Sequence, residues 1–174
     1  YIPEGKYQYL RDITRHRVRL GRESAKLKTS VKDLLARHNM RAPYKDMTGP
    51  RGERYLLKQD FGFADNWVRD NMLAQLRTVR LQIIAAEGIF ESVKNDYPET
   101  EALLDIYGIG LYTALLIIGE IGDPERFADS GQVSAYAGLT ARVNQSGGHC
   151  YYGHITKQGS AWLRWILVEV GMQA

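Results

Sequence analysis

Apolar positions recur in steps of three and four at the front of the chain, through Leu10, Ile13, Arg17, Leu20, Ser24, Leu27, Val31 and Leu34, with Arg17 and Ser24 as the polar members. A second series with the same spacing runs through Met72, Leu76, Val79, Ile83, Ala86, Phe90, Val93 and Tyr97. Such steps align side chains along one stripe of an α-helix, so each series predicts a helix about 35–40 Å long with a heptad seam. Polar residues within a seam set register and partner number rather than add stability. Between the two series, Pro43, Gly49, Pro50 and Gly52 break the pattern, and an irregular loop over about residues 39–64 is expected. Two long antiparallel helices, a coiled-coil arm over residues 1–98, are the economical arrangement. Pro98 ends the second helix, because proline disfavours helical geometry in the residue before it.

From residue 99 to 174 the pattern changes to short apolar segments separated by glycines, which predicts a compact helical domain. The stretch "LLDIYGIGLYTALLIIGEIG" reads as helix, tight Gly108-Ile109-Gly110 turn, helix. This is a helix-hairpin-helix-like pattern. Its glycines permit a sharp turn, and the free N–H groups of the second helix can face a DNA phosphate. Simple packing of two helices explains the glycines equally well. Ile109, Leu115, Leu116 and Ile117 are assigned to the core, as are Trp162 and Trp165, and Trp67 is expected to anchor the second long helix. Ser130 and Ser160 read as helix N-caps, and Ser134 lies in an apolar helix. Alternating Cys150, Tyr152 and His154 suit a short β-hairpin, while Tyr151 and Tyr152 would also suit stacking on bases. The fold class is therefore mainly α.

Composition adds three limits. With 44% apolar and 25% charged residues over 174 positions, the chain can form one ordinary domain or two small ones. The single cysteine, Cys150, rules out an internal disulfide and cysteine-rich zinc sites, which fits a reducing cytoplasm. No apolar run reaches the roughly 18–20 residues that span a bilayer, so no membrane partner is expected.

The net charge of +3 conceals a strong asymmetry. Residues 6–41 hold eleven Lys or Arg against three acids, an excess of +8, which leaves −5 for the remainder. That block suggests a polyanion partner, although a solvated helix face accounts for it about equally. Arg15, Arg19, Arg22 and Lys26 are the candidate backbone contacts. Candidate chemistry lies further on, in "VNQSGGH", where Ser146 precedes Gly147 and Gly148, with Arg142 before it and His149 after. A serine beside glycines commonly just closes a turn. It becomes a nucleophile only where a base, a metal or cations favour its alkoxide, and Arg142, His149, Lys157 and Arg164 could supply positive charge for a phosphodiester. His149 and His154 have no nearby carboxylate and make a poor metal pair. No metal ligand is assigned, and Asp105, Glu120, Asp123 and Glu125 are taken as helix-end or surface acids.

Gly108-Ile109-Gly110, Phe127, Ala135-Tyr136-Ala137-Gly138-Leu139, Ser146-Gly147, Ile155-Thr156-Lys157, Gly159 and Leu163-Arg164 occur here in an order and spacing that resemble the DEDD-type transposases of the IS-one-ten insertion-sequence family, which includes the pilin-gene DNA invertases. The opening stretch, "YIPEGKYQYLRDITRHRVRLGRESAKLKTSVKDLLARH", resembles the segment between that family's two catalytic domains. The resemblance implies that Ser146 is the nucleophile of DNA strand exchange. It also implies a RuvC-like domain upstream, whose four acids bind Mg²⁺, and a structured guide RNA as partner alongside DNA. No cofactor is assigned to the present chain, which by itself is expected to be inactive. Ala141 stands where many relatives have proline. A homodimer or higher oligomer through the arm is plausible. The alternatives are a non-catalytic DNA-binding and dimerisation module, or a purely structural coiled coil.

Overall fold

A computed structural model of the chain describes residues 5–146 and 149–173, with the side chains of residues 144–150 outside that description. It is mainly α-helical, as the pattern predicts. Two long helices, α1 (Lys6–Arg37) and α3 (Phe63–Val93), flank a shorter α2 (Pro50–Lys58). Beyond them come α4 (Glu99–Leu104), α5 (Leu111–Ile121), α6 (Ser130–Tyr136), strands β1 (Ala141–Ser146) and β2 (His149–Ile155), and α7 (Ala161–Gly171). The chain divides into two compact units, residues 16–88 and residues 1–15 with 89–174. That division falls within both long helices.

In the unit of residues 16–88, α1 and α3 run antiparallel. Arg17 pairs with Glu87 at one end, and Arg37 and His38 pair with Asp65 at the other. Leu20, Leu27, Val31 and Leu34 of the first seam meet Leu73, Leu76 and Val79 in one core. Arg17 occupies its seam position by turning its guanidinium onto Glu87, and Ser24 is half-buried.

The expected irregular loop is partly ordered. Pro50 starts α2, since a proline in the first turn lacks only an N–H that has no partner there, and Gly49 is the N-cap. Leu56 is fully buried, and a Cβ at Gly52 would come within 2.4 Å of the Met47 backbone. Gly52 thus marks a close contact rather than a break. The buried Arg69 guanidinium donates to the Leu56 and Gln59 carbonyls at the end of α2, where a cation is favoured by the helix dipole. Asp46 receives the Thr48 hydroxyl and amide, which hold its carboxyl below the usual carboxylate range. Trp67 is 65% exposed and anchors nothing within this unit, contrary to expectation.

The other unit is built around α5, whose residues Ala114 to Glu120 are all buried. Leu10, Phe90 and Tyr97 pack on Leu115 and Ile118, and Ile109, Leu116 and Ile117 are core as expected. Gly119 admits the α1 backbone, because a Cβ there would lie 3.1 Å from the Arg11 amide nitrogen. β1 and β2 form an antiparallel hairpin with Ser146 opposite His149 and a register shift between Ala141 and Val143. Asp129 caps α6 in place of the expected Ser130, accepting from the Gln132 amide. Trp162 and Trp165 are half-buried.

Candidate nucleic-acid interface

The base of the hairpin is a close crossing of two chain segments. After α6, Gly138 turns with φ +69°, and after β2, Gly159 turns with φ +108°. A Cβ on Gly138 would fall 2.2 Å from the Gln158 carbonyl oxygen, and one on Gly159 would fall 2.0 Å from that of Tyr136. Only glycine fits either place, by space and by backbone conformation. Three amides fasten the crossing: Thr156 donates to Thr140, Lys157 to Gly138, and Ser160 to Tyr136. The "YAGL" and "ITKQGS" stretches, far apart in sequence, are thus two halves of one joint from which the hairpin projects.

Beneath the joint lies a buried charge cluster. Glu120 has no solvent exposure. Its carboxylate accepts two hydrogen bonds from Arg15, at 2.6 and 2.9 Å, and a third from the Ser160 hydroxyl at 2.6 Å. Arg11 lies 3.9 Å from the same carboxylate and donates to the Gly119 and Glu120 carbonyls. The Ser160 hydroxyl also accepts from the Leu163 amide, as the N-cap of α7. Glu120 is therefore neither a surface acid nor a simple helix-end acid, and the reason is local. A carboxylate in the last turn of a helix opposes the helix dipole, and its burial requires partners, which two arginines and a serine provide. Asp123 caps the short 3₁₀ turn Pro124–Arg126, and Asp105 is the C-cap of α4.

The candidate residues are placed differently from one another. Arg142 and Lys157 are exposed, on strand β1 of the hairpin and at the joint respectively, and Lys157 takes the left-handed conformation with φ +56°. Arg164 is half-buried and donates to the Ala137 carbonyl at 3.1 Å, so it braces the joint. Arg15 is engaged by Glu120, whereas Arg19, Arg22 and Lys26 lie on exposed positions of α1. The Ser146 and His149 backbones face one another across the hairpin. Their side chains, together with Gly147 and Gly148, lie outside the described residues. Gly108 (φ +83°) makes the turn before α5, and Gly110 is the N-cap of α5 with no side-chain hydrogen bond. Tyr151, Tyr152 and His154 on β2 are exposed.

Among the described residues no cluster of three or more His, Cys, Asp or Glu could hold a metal ion. Glu120 does not suit such a role, since both its carboxylate oxygens already receive donors. No described helix is long and apolar enough to cross a membrane.

The glycine-locked hairpin thus carries exposed Arg142 on β1 and exposed Lys157 just after β2. Residues 100–174 match the family model described as Transposase IS116/IS110/IS902 family. The chain is 28% identical over 95 residues to "Probable family 20 transposase" of Pseudomonas aeruginosa, covering 55% of this chain and 28% of that protein. It is 34% identical over 71 residues to the transposase for insertion sequence element IS1111A of Coxiella burnetii, covering 41% of this chain and 20% of that one. It is also 35% identical over 86 residues to the transposase for insertion sequence element IS1328 of Yersinia enterocolitica, covering 48% and 26%. The chain spans less than a third of the length of each of these relatives.

Proposed function

We propose that this chain is part of a DNA transposase or site-specific recombinase in which Ser146 attacks a DNA phosphodiester. The observation that carries the reading is the match of residues 100–174 to a transposase family over the same segment that forms the glycine joint and its hairpin. In the proposed step the Ser146 oxygen bonds to phosphorus and gives its proton to a base, while a deoxyribose oxygen departs and takes up a proton. The resulting serine–phosphate ester keeps the phosphodiester's energy, so a second strand can displace the serine without an external energy source. Arg142 and Lys157, exposed near the hairpin's base, would bind the flanking phosphates. The turn at Gly108 and Gly110 would hold a further backbone phosphate at the start of α5. Mg²⁺ belongs, in this reading, to a RuvC-like part of the longer protein, and a structured guide RNA selects the DNA. Trp67, Leu81 and Ile84, all exposed on α3, support an oligomer formed through the long helices.

The test is a denaturant-resistant DNA adduct formed by the longer protein. Ser146→Ala should abolish the adduct and leave DNA affinity within about two-fold, read by gel separation and by filter binding. An adduct that survives this substitution overturns the serine assignment and leaves a DNA-binding and assembly module.

A further inference from the structure

Helix α2 presents Arg51, Arg54 and Lys58 at spacings of three and four, which places them on one face. All three are exposed, and among the described residues none of them is ion-paired. Neighbouring arginines of the same unit are occupied: Arg69 by carbonyls, Arg80 by Thr48, and Arg77 by Glu53, the acid within α2. The pairing with Arg77 turns that carboxylate away from the basic face. Alongside the three cations, Tyr44 and Tyr55 meet edge to face at 6.3 Å and 88°. The five residues line one cleft of about 300 Å³, at the small end of the roughly 300–1,000 Å³ that small-ligand sites occupy. That volume suits one nucleotide better than a duplex.

We infer that this cleft on α2 binds a single-stranded nucleic acid, with an unpaired base on Tyr44 and consecutive phosphates on Arg51, Arg54 and Lys58. Three unpaired cations in a row match a phosphodiester backbone. Tyr44 is 43% exposed and braced by a second ring, and such a ring can stack on any base. A duplex keeps its bases stacked inside and cannot use that ring, so the tyrosines favour the single-stranded form. The inference rests on the transposase reading only for the choice of a nucleic acid over another polyanion, and the site is separate in sequence from Ser146 and its hairpin.

The test measures binding of the 174-residue chain to labelled oligo-dT, oligo-U and a blunt DNA duplex by fluorescence anisotropy across salt. Replacing Arg51, Arg54 and Lys58 together by Gln should weaken single-strand binding at least ten-fold and flatten its log–log salt slope by about 2. Tyr44→Ala should weaken single strands by about 5- to 150-fold and leave the duplex unchanged, whereas Tyr44→Phe should retain wild-type affinity. Stronger loss for oligo-U than for oligo-dT identifies RNA as the natural strand, and the reverse identifies DNA. An unchanged salt slope in the triple variant, or equal losses for duplex and single strand with Tyr44→Ala, overturns the site. Circular dichroism of each variant confirms the helices. Ser146→Ala should leave all these affinities intact, so loss of the adduct and loss of the cleft are separate outcomes.

Discussion

Ser160 and Glu120 share one hydrogen bond but contribute on different scales. The Ser160 hydroxyl serves two masters, the Glu120 carboxylate and the first turn of α7. Its replacement by Ala removes an N-cap, which costs about 0.5–2 kcal/mol, and leaves Arg15 still bound to the acid. Glu120→Ala is harsher, because it deprives the buried Arg11 of a nearby negative charge and Arg15 of both its acceptors. Breaking a buried pair costs about 3–5 kcal/mol, and Arg15 can partly turn to water, so the lower end is expected. Urea unfolding followed by circular dichroism should therefore rank Glu120→Ala at about 3 kcal/mol, well below wild type, and Ser160→Ala at about 1–2 kcal/mol. Equal losses would mean that the acid and the cap act as a single unit. The sequence offered one clue to this cluster: a lone acid inside "ALLIIGEI", with apolar neighbours on every side. Its partners were not legible, since Arg15 lies 105 residues away and Ser160 lies 40. Arg15 looked like one more member of a basic stripe.

The heptad steps were enough to read α1 and α3, because a long apolar stripe has few other uses. α2 escaped notice. Its Pro50 and Gly52 match breaker signals, and only the tertiary contact of Gly52 with Met47 reveals that the glycine serves close packing. The hairpin was legible as an alternation of side chains, but the crossing at its base was not, as it joins segments on either side of the two strands. At this scale Gly159→Ala is the decisive change. Its φ of +108° and the Tyr136 oxygen both reject a methyl group. Backbone strain alone is worth about 1–3 kcal/mol, and the clash adds to it. The hairpin amides Thr156 and Lys157 should lose hydrogen-exchange protection by at least ten-fold in this variant, while those of α2 keep theirs. Uniform loss across both units would show that the joint is not a local device.

Taken as a whole, the chain's basic block does not act as one surface. Arg11, Arg15 and Arg17 point to internal partners, so the excess of +8 overstates the charge available to a polyanion. Arg19 and Lys26 are exposed. Their joint replacement by Gln should lower the salt slope of duplex DNA binding by about 1–2, measured by anisotropy, while Arg15→Gln should act on stability instead. The two-unit division was hidden from a sequence reading for a related reason. Both long helices cross it without interruption, so no linker marks it in the sequence. The knot of Arg15, Glu120 and Ser160 also has a kinetic consequence. Closing a loop of 105 residues costs entropy before any contact is gained, so this tie is expected to form late in folding. Glu120→Gln should therefore hasten unfolding in a stopped-flow chevron and leave the refolding limb almost where it was.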